Sequence, residues 1–455
     1  MDRDVVIVGA GVVGAAIARE LARYELDVTL LEAGPDVGAG TSKANTALLH
    51  TGFDAKPGTL EARLTARGYE LLSDYALRAG IPVERTGALL VAWDAQQVRE
   101  FEGIVERSRA NGYDAIRELD ADELYRREPH LGPGARGALE VPDESLICPF
   151  TTPLAFATEA VLGGCELRRW ANVTAVERLP SGGFRVETGG GSLTTRRLVN
   201  AAGLRSDEVD RMLGGERFTV TPRRGELIVF DKLARPLVSH IVLAVPTRVS
   251  KGVLVAPTVF GNVMVGPTAE DIPRKDDTAS TAAGLDYLRA EAGRILPELL
   301  GHDVTAVYVG LRAATEHADF QIAFEDGYAC VGGIRSTGLS ASMAIAEYVR
   351  EGLELGAPER PARPSPQMPN IGEAFPRPYQ RADLVAADPE YGRVVCFCER
   401  VTRGEVRDAF ASPVPPVDLD GLRRRTRAHM GRCQGFFCGA QLAALLGERE
   451  AARSA

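Results

Sequence analysis

The first 34 residues constrain the fold of this chain most, because they combine a strand, a glycine-rich turn, a helix and a second strand. Apolar residues 5–8 predict a buried parallel strand, and Gly9, Gly11 and Gly14 form GxGxxG where the helical pattern begins. Such a turn offers backbone N–H groups and a helix N-terminus to a pyrophosphate. The next apolar strand ends in Glu32, whose carboxylate can accept hydrogen bonds from ribose hydroxyls. The segment therefore predicts a dinucleotide site.

Composition narrows the class of protein. With 455 residues, 45% of them hydrophobic and 25% charged, the chain can bury large cores and is expected to form two or three domains. The net charge of -9 argues against nucleic acid as the main partner. The first strand begins too early for a leader, and no apolar run is long enough to span a bilayer, so the prediction is a cytoplasmic protein without a transmembrane segment. Peripheral membrane contact would leave no such signature.

Downstream patterns predict further packing elements and one functional loop. The long loop after Glu32 is rich in Gly, Ser, Thr and Asn and contains His50, and a loop of this length is usually functional. Residues 328–353 repeat the order of strand, glycine turn and helix, which offers a second helix N-terminus to a ligand. No second GxGxxG with a preceding strand and a following acid occurs, so a separate nicotinamide-binding domain is not expected. The other elements expected are a helix at 61–79, extended chain at 81–93, charged helices within 94–128, a meander at 165–199, strands within 217–267 and a helix at 278–296.

The C-terminal part carries a second strong motif. Seven prolines between residues 358 and 378 predict a semi-rigid linker or a wrapped surface strap. Beyond it, Cys396 and Cys398 form CxC and Cys433 and Cys438 form Cx4C, which provides four thiolates. An iron-sulfur cluster, a structural zinc ion and disulfides all remain open on spacing alone. Arginines crowd the approach to the second pair and are expected to lower thiolate pKa values; these are Arg423, Arg424, Arg425, Arg427 and Arg432.

Taken together, the motifs resemble a known superfamily. GAGVVG with Glu32, NTALLHTGFDAKPGTLEARL, VPDESLICPF, RRLVNAAG, SKGVLVAPTVFGNVMVGPTAEDI and GIRSTGLSASMAIAEYV are similar to the FAD-dependent oxidoreductases of the D-amino-acid oxidase and glycerol-3-phosphate dehydrogenase superfamily. Residues 44–64 look most like the 2-hydroxyglutarate dehydrogenase branch, whereas GIRSTGLSAS replaces the GGKLTTYR-like segment of the phosphate-recognising branch. VVCFCERVTRGE with MGRCQGFFC resembles the bacterioferritin-associated ferredoxin type of [2Fe-2S] module, as fused to the large subunit of anaerobic glycerol-3-phosphate dehydrogenase.

This resemblance implies an architecture. The fold class is α/β, with a Rossmann-type FAD-binding domain, an antiparallel-sheet substrate domain and a small C-terminal iron-sulfur module. The implied domain bounds are 1–85, 142–222 and 305–355 for the FAD-binding domain, 86–141 and 223–304 for the substrate domain, 356–390 for a Pro-rich linker, and 391–455 for the [2Fe-2S] module.

The resemblance also implies two cofactors and the residues that hold them. FAD would be held by Gly9, Gly11, Gly14, Glu32, Thr41, Ser42, the main chain at Val173, Ala202, Gly203, and the turn containing Gly333, Gly338 and Leu339. The [2Fe-2S] cluster would be ligated by Cys396, Cys398, Cys433 and Cys438.

Three residues are candidates for the chemistry. His50 is the candidate base, since histidine titrates near neutral pH; its alternative role is to pack against the flavin ring or fix the loop backbone. Arg312 could clamp a substrate carboxylate with two parallel hydrogen bonds, and its alternative is a core ion pair with Glu316. Lys251 could add charge to an anion site, or simply end a strand in solvent. The remaining histidines show no metal-ligand spacing, and Cys148, Cys165 and Cys330 are expected to be buried thiols; these histidines are His130, His240, His302, His317 and His429.

The predicted function is that of an FAD-dependent dehydrogenase that oxidises a small 2-hydroxy acid, such as 2-hydroxyglutarate, or glycerol 3-phosphate. Reduced flavin holds two electrons whereas an iron-sulfur cluster passes one at a time, so the module suits electron transfer to a protein or quinone acceptor. The alternatives are an amino-acid or amine dehydrogenase of the same superfamily, and a redox relay or sensor that acts with a protein partner.

Overall fold

The computed structural model describes residues 1–246 and 252–454. The helices are α1 (Val12–Leu21), α2 (Leu60–Ala79), α3 (Ala95–Ala110), α4 (Ala121–Arg127), α5 (Thr151–Leu162), α6 (Ser206–Met212), α7 (Ala282–Ile295), α8 (Gly338–Gly352), α9 (Ala382–Ala387), α10 (Arg403–Ala411), α11 (Leu419–Thr426) and α12 (Gly439–Ser454). The strands are β1 (Arg3–Val8), β2 (Val28–Leu31), β3 (Leu48–Leu49), β4 (Val83–Glu84), β5 (Ala88–Ala92), β6 (Arg117–Asp120), β7 (Gly137–Val141), β8 (Ser145–Ile147), β9 (Glu166–Arg168), β10 (Val173–Arg178), β11 (Phe184–Thr188), β12 (Gly191–Asn200), β13 (Thr221–Phe230), β14 (Ile241–Ala244), β15 (Leu254–Pro257), β16 (Val263–Gly266), β17 (Glu270–Asp271), β18 (Val304–Ala314), β19 (Gln321–Glu325), β20 (Tyr328–Gly332), β21 (Val394–Cys396) and β22 (Val401–Thr402).

The first sheet is a parallel core built on β1. β2 and β12 flank β1 in parallel, β9 extends the sheet beyond β2, and β20 pairs in parallel with β12. Residues 5–8 are all buried, as their unbroken apolar run predicts. Val5 and Ile7 pack in the core cluster of α1, α5 and α8, while Val6 and Val8 pack in that of β10, β11 and α6. Helix α1 packs between α5 and α8. The Rossmann-type prediction is confirmed.

The second sheet is antiparallel apart from the parallel pair β5 and β14, and it runs in the order β17-β13-β16-β15-β14-β5-β7-β6. The long strand β18 adds to it by pairing with β13 along ten registered positions. The predicted boundary places residues 305–355 in the FAD-binding domain, whereas by pairing the first ten of these belong to the second sheet. The chain therefore returns to the first sheet only at β19.

The C-terminal module has its own core and is tied to the rest of the chain by the proline-rich segment. Val395, Val401, Val406, Leu422 and Leu442 form a separate buried cluster under α10, α11 and α12. The segment before it is a surface strap, since its backbone donates hydrogen bonds to three earlier parts of the chain. These bonds are Arg360 N to Arg23 O, Met368 N to Ala79 O and Glu373 N to Val259 O.

None of the described helices has both the length and the apolar composition that crossing a bilayer requires.

Candidate functional site

The turn between β1 and α1 can accommodate only glycine at two of the three glycine positions of GxGxxG. Gly9 has φ +100°, and a Cβ there would lie 2.6 Å from the carbonyl oxygen of Ala201. A Cβ at Gly14 would lie 1.9 Å from the carbonyl oxygen of Gly9. The turn is therefore pressed against the end of β12, where Ala202 and Gly203 follow, and the N-terminus of α1 is left open to a phosphate.

Glu32 shapes this turn as well as offering a ribose acceptor. Its Oε2 accepts from Ala10 N at 2.9 Å and its Oε1 from Gly34 N at 2.8 Å. Burial raises the pKa of Glu32, and these backbone donors oppose the effect. A carboxylate has about four acceptor sites, so these two bonds leave room for ribose hydroxyls.

The other residues expected to hold FAD lie around the same turn. Ser42 Oγ accepts from Val12 N at 2.9 Å, while Thr41 Oγ1 donates to the carbonyl oxygen of Leu311 at 2.8 Å. Val173 begins β10 and packs in one core cluster with Ala202. Gly338 and Leu339 begin α8, and a Cβ at Gly338 would lie 3.9 Å from Val13 of α1. Gly333 adopts φ +63° in the turn before that helix.

His50 follows β3 and is held by a buried carboxylate. Its Nδ1 lies 2.9 Å from Oε2 of Glu144, whose side chain is fully buried. The other oxygen of Glu144 accepts from both N and Oγ1 of Thr51, at 2.7 and 2.9 Å. A carboxylate on Nδ1 fixes the orientation of the imidazole and stabilises its charged form. Glu144 was not among the predicted site residues, although it lies within the motif VPDESLICPF.

The start of α8 contacts the same loop. The backbone N of His50 donates to Ser340 Oγ at 2.7 Å. Helix α2 also approaches closely, because a Cβ at Gly68 would lie 2.3 Å from the carbonyl oxygen of Ser340. The loop of His50 and helix α2 therefore both contact α8 near its N-terminus.

One face of β18 lies against the loop that leads to His50. Tyr308 donates its hydroxyl to Asn45 O at 2.7 Å, and a Cβ at Gly310 would lie 2.0 Å from Ala44 O. Burial raises the pKa of Tyr308. Arg312 is two residues further along and shares this face, because side chains alternate along a strand.

The guanidinium of Arg312 has no carboxylate within 4.0 Å among the residues that the structure describes; its Nη2 donates to Thr268 O at 3.2 Å. Burial, and next the charge of Arg223, lower its pKa to about 10. The alternative ion pair with Glu316 is not formed, since that carboxylate accepts from Thr219 N instead. Lys251 lies outside the described residues.

The four C-terminal cysteines form two neighbouring pairs. The thiols of Cys398 and Cys433 are hydrogen-bonded neighbours, as are those of Cys396 and Cys438. All seven cysteines are free, and Cys148, Cys165 and Cys330 are buried as expected. In the described part of the chain, no three His, Cys, Asp or Glu side chains surround a single metal position. Two thiol pairs suit a centre with two iron atoms.

The surroundings of the thiols also fit a cluster. Backbone N–H groups, foremost that of Phe437, lower the pKa of Cys433 against the effect of burial. Beside the same loop, the Nε2 atom of His429 is buried without a protein partner among the described residues. Hydrogen-bond donors facing thiolates and sulfides stabilise a reduced iron-sulfur centre.

Two members of the arginine run dock the module. Arg425 binds Asp36 with two parallel bonds of 2.6 and 2.8 Å, and Arg424 Nη2 lies 2.7 Å from the same carboxylate. Asp36 is fully buried and lies four residues after Glu32. The charge of Arg424 and Arg425 is therefore used by a carboxylate of the loop after Glu32, whereas Arg432 interacts electrostatically with Cys398.

Further contacts place the module across both sheets. Lys43 pairs with Asp420 at 3.1 Å, and Arg427 lies 4.1 Å above the ring of Phe260. Phe260 stacks on Phe150, at the start of α5. The cysteine module is thus packed on the loop that surrounds the glycine turn.

A parallel sheet with a glycine turn, a histidine–carboxylate pair and a docked four-cysteine module define a flavin-dependent oxidoreductase with an iron-sulfur module. A family model described as FAD dependent oxidoreductase matches residues 4–351, and one described as BFD-like [2Fe-2S] binding domain matches residues 394–448. The chain belongs to the FAD dependent oxidoreductase family, and its cofactors are FAD and a [2Fe-2S] cluster.

The similar proteins match different shares of this chain. Glycerol 3-phosphate dehydrogenase of Caloramator mitchellensis is 34% identical over 97% of this chain and 93% of its own length. L-2-hydroxyglutarate dehydrogenase of Arabidopsis thaliana is 27% identical over 76% of this chain and 82% of its own length. The solved structure of L-alpha-glycerophosphate oxidase from Mycoplasma pneumoniae with FAD bound superposes with a TM-score of 0.78, at 29% identity, over 81% of this chain and 99% of that one.

We expect the substitution Glu144→Gln to show whether the Glu144 carboxylate acts on His50 through its charge or only fills space. Glutamine keeps the shape and the bond from Thr51 N but loses the charge that favours a protonated imidazole, so the acid limb of the pH profile of kcat/KM should move to lower pH. Steady-state kinetics with and without the substitution measure this. Glu84→Gln, at a carboxylate paired with Arg235, is the matched control. An unshifted limb would limit Glu144 to packing.

Proposed function

We propose that this protein is a dehydrogenase that oxidises glycerol 3-phosphate at its secondary alcohol and passes the electrons through the [2Fe-2S] cluster to a one-electron acceptor. It is an FAD-dependent oxidoreductase acting on CH–OH donors. The carrying observation is the match with the glycerol 3-phosphate dehydrogenase, which extends over 97% of the chain and therefore includes the cysteine module. The sequence prediction placed the 2-hydroxy acid first, and this match reverses the order.

The chemistry assigned to the protein's own residues is proton transfer and anion binding. Oxidation of a secondary alcohol removes the proton of the hydroxyl group and a hydride from the carbon that bears this group. In the proposal, Nε2 of His50 accepts the proton while Glu144, on Nδ1, stabilises the resulting imidazolium. When bound, FAD accepts the hydride and the cluster accepts electrons singly.

Arg312 is proposed to bind the anionic end of the substrate. A buried guanidinium without a carboxylate partner gains most from an incoming anion, because its charge is already desolvated. Its planar fork matches both phosphate and carboxylate. The glycine turn holds the pyrophosphate of FAD in the same proposal, with Glu32 on the ribose.

A 2-hydroxy acid such as 2-hydroxyglutarate is the second candidate. Two observations favour it: the similarity to the Arabidopsis enzyme, and the segment GIRSTGLSAS in place of the phosphate-branch motif. Both candidates have a secondary alcohol and an anionic group, so the same residues would serve either one.

Anaerobic bleaching of the flavin distinguishes the substrates. The purified protein is mixed with glycerol 3-phosphate, L-2-hydroxyglutarate, D-2-hydroxyglutarate, glycine and proline, and flavin absorbance is followed. We expect fast bleaching with glycerol 3-phosphate and none with the amino acids. Bleaching by a hydroxyglutarate alone would select the second candidate, and bleaching by an amino acid alone would overturn both.

We expect Arg312→Met to weaken substrate binding while it stabilises the fold. Loss of a charged partner in a buried pair costs about 2–5 kcal/mol, so KM should rise roughly 30-fold to several thousand-fold. Burial disfavours the charged guanidinium in the substrate-free protein, so thermal unfolding should shift to a higher temperature. Kinetics and thermal melts check the two effects. Arg217→Met is the control, at an arginine paired with Asp210. It should leave KM unchanged and lower the temperature of thermal unfolding. An unchanged KM for Arg312→Met would contradict the assignment.

A further inference from the structure

The two cysteine loops expose all three of their aromatic side chains. Phe397 lies between Cys396 and Cys398 and is 74% exposed, while Phe436 and Phe437, between Cys433 and Cys438, are 83% and 75% exposed. The last two rings stand edge to face, with centroids 5.1 Å apart. Since the thiols of the two loops are hydrogen-bonded neighbours, the three rings lie on the two loops that would hold the cluster. We call them the phenylalanine rim.

Such exposure is costly in an isolated protein. Burying a phenylalanine side chain is worth about 1.5–3 kcal/mol relative to leaving it in water. Three rings of about 150–250 Å² each, about three-quarters exposed, present roughly 350–550 Å² of apolar surface. The largest apolar patch on a typical monomer measures about 300–600 Å² and is often functional, so a patch of this size is a candidate interaction surface.

We propose that the phenylalanine rim is the docking face for a small acidic protein that carries one electron. The inference deepens the proposed function and rests on electron exit through the cluster. In each transfer the reduced cluster loses one electron and the carrier gains one, so two carriers are reduced for each alcohol oxidised, and two protons leave to solvent.

The size of the rim favours a transient carrier over a permanent partner. Electron-transfer encounters bury less than about 1,200 Å² in total, and stable complexes bury about 1,200–2,000 Å². The phenylalanine rim contributes roughly 450 Å² on one partner, which matches the interfaces of electron-transfer encounters. A carrier that must leave after one electron needs an interface of this kind.

Charge favours an acidic carrier. The chain has a net charge of -9, yet residues 391–448 contain nine arginines and six carboxylates. Two of these arginines adjoin the cysteine loops: Arg400 follows Cys398 by two residues, and Arg432 precedes Cys433. Each has one carboxylate partner, Glu373 at 3.9 Å and Asp231 at 2.8 Å, and their side chains remain 51% and 53% exposed.

The test uses the full-length protein with both cofactors, and rubredoxin as the acidic one-electron probe. The protein is reduced with substrate or, separately, with dithionite that is then removed, and the rate of rubredoxin reduction is measured at several salt concentrations. The variant is F397S/F436S/F437S. The control is L77S/Y287S, which removes exposed apolar side chains from α2 and α7.

We expect the rim variant to reduce rubredoxin at least tenfold more slowly than the wild type, with iron and sulfide content unchanged and the control unaffected. The wild-type rate should fall as salt rises. Equal rates for the wild type and the rim variant would overturn the proposal. So would rim-dependent binding to anionic vesicles without rubredoxin reduction, or a wild-type dimer that the rim variant abolishes. If substrate did not support rubredoxin reduction but dithionite still did so in a rim-dependent way, the proposed function would be overturned and the docking face would be retained.

Discussion

Replacing His50 with glutamine is expected to lower kcat with glycerol 3-phosphate by about 10²–10⁴-fold, the range that a positioned general base contributes. Glutamine can still accept and donate hydrogen bonds near Glu144 but cannot take up the alcohol proton. The acid limb of the kcat/KM profile should therefore disappear along with the rate. Stopped-flow measurement of flavin bleaching by substrate gives the rate without contributions from the cluster.

A second histidine provides the control for this prediction. The Nδ1 atom of His130 lies 2.9 Å from Glu298, also a carboxylate partner, but on the protein surface. His130→Gln should leave kcat and the pH profile unchanged. A loss of less than fivefold in His50→Gln, with flavin content intact, would remove His50 as the base.

Replacing Asp36 with asparagine should undock the cysteine module. The carboxylate is fully buried between Arg424 and Arg425, and removing one partner of a buried ionic group costs about 3–5 kcal/mol because the other charges are left uncompensated. We expect a lower free energy of unfolding, faster proteolysis in the segment 358–378, and slower electron transfer from flavin to cluster. Denaturant titration, limited proteolysis and rapid mixing measure these.

The same contact makes docking sensitive to acid. The pKa of Asp36 is lowered: burial raises it, but the larger combined effect of Arg425 and Arg424 opposes this. A lowered folded-state pKa gives stabilisation that is complete above the ordinary aspartate value and is lost as pH falls through the folded-state value. Stability should therefore drop below about pH 4 in the wild type and less steeply in Asp36→Asn.

Asp276→Asn is the matched control, since this carboxylate pairs with Arg274 at the surface and solvent screens such pairs so that they contribute little to stability. If Asp36→Asn were no less stable than this control, the buried contact would not hold the module in place.

The opening nucleotide-binding unit could be predicted in detail because every part of its signal is local. A continuous apolar strand, a turn that excludes a Cβ and a terminal acid all occur within 29 residues of each other, so no long-range contact has to be known. The cysteine loops were predictable for the same reason. Their spacing specifies four thiolates, and the module encloses its own core.

The remainder of the site depends on contacts between distant residues. Glu144 is 94 residues from His50 and Asp36 is 389 residues from Arg425, and no pattern in a single sequence marks such pairs. An arginine run next to cysteines favours an electrostatic role at the thiols, whereas the buried aspartate that uses it lies in another domain. The pairing of β18 with β13 is likewise set by the tertiary fold.

The central claim is that electrons from glycerol 3-phosphate enter at the flavin and leave through the cluster. It is tested most directly by mixing the protein anaerobically with glycerol 3-phosphate, freezing samples over time, and recording flavin absorbance together with the paramagnetic signal of the reduced [2Fe-2S] cluster. We predict that the flavin bleaches first and the cluster signal then rises, and that Cys433→Ser abolishes the signal without slowing bleaching. A cluster that stays oxidised while the flavin is fully reduced would contradict the account.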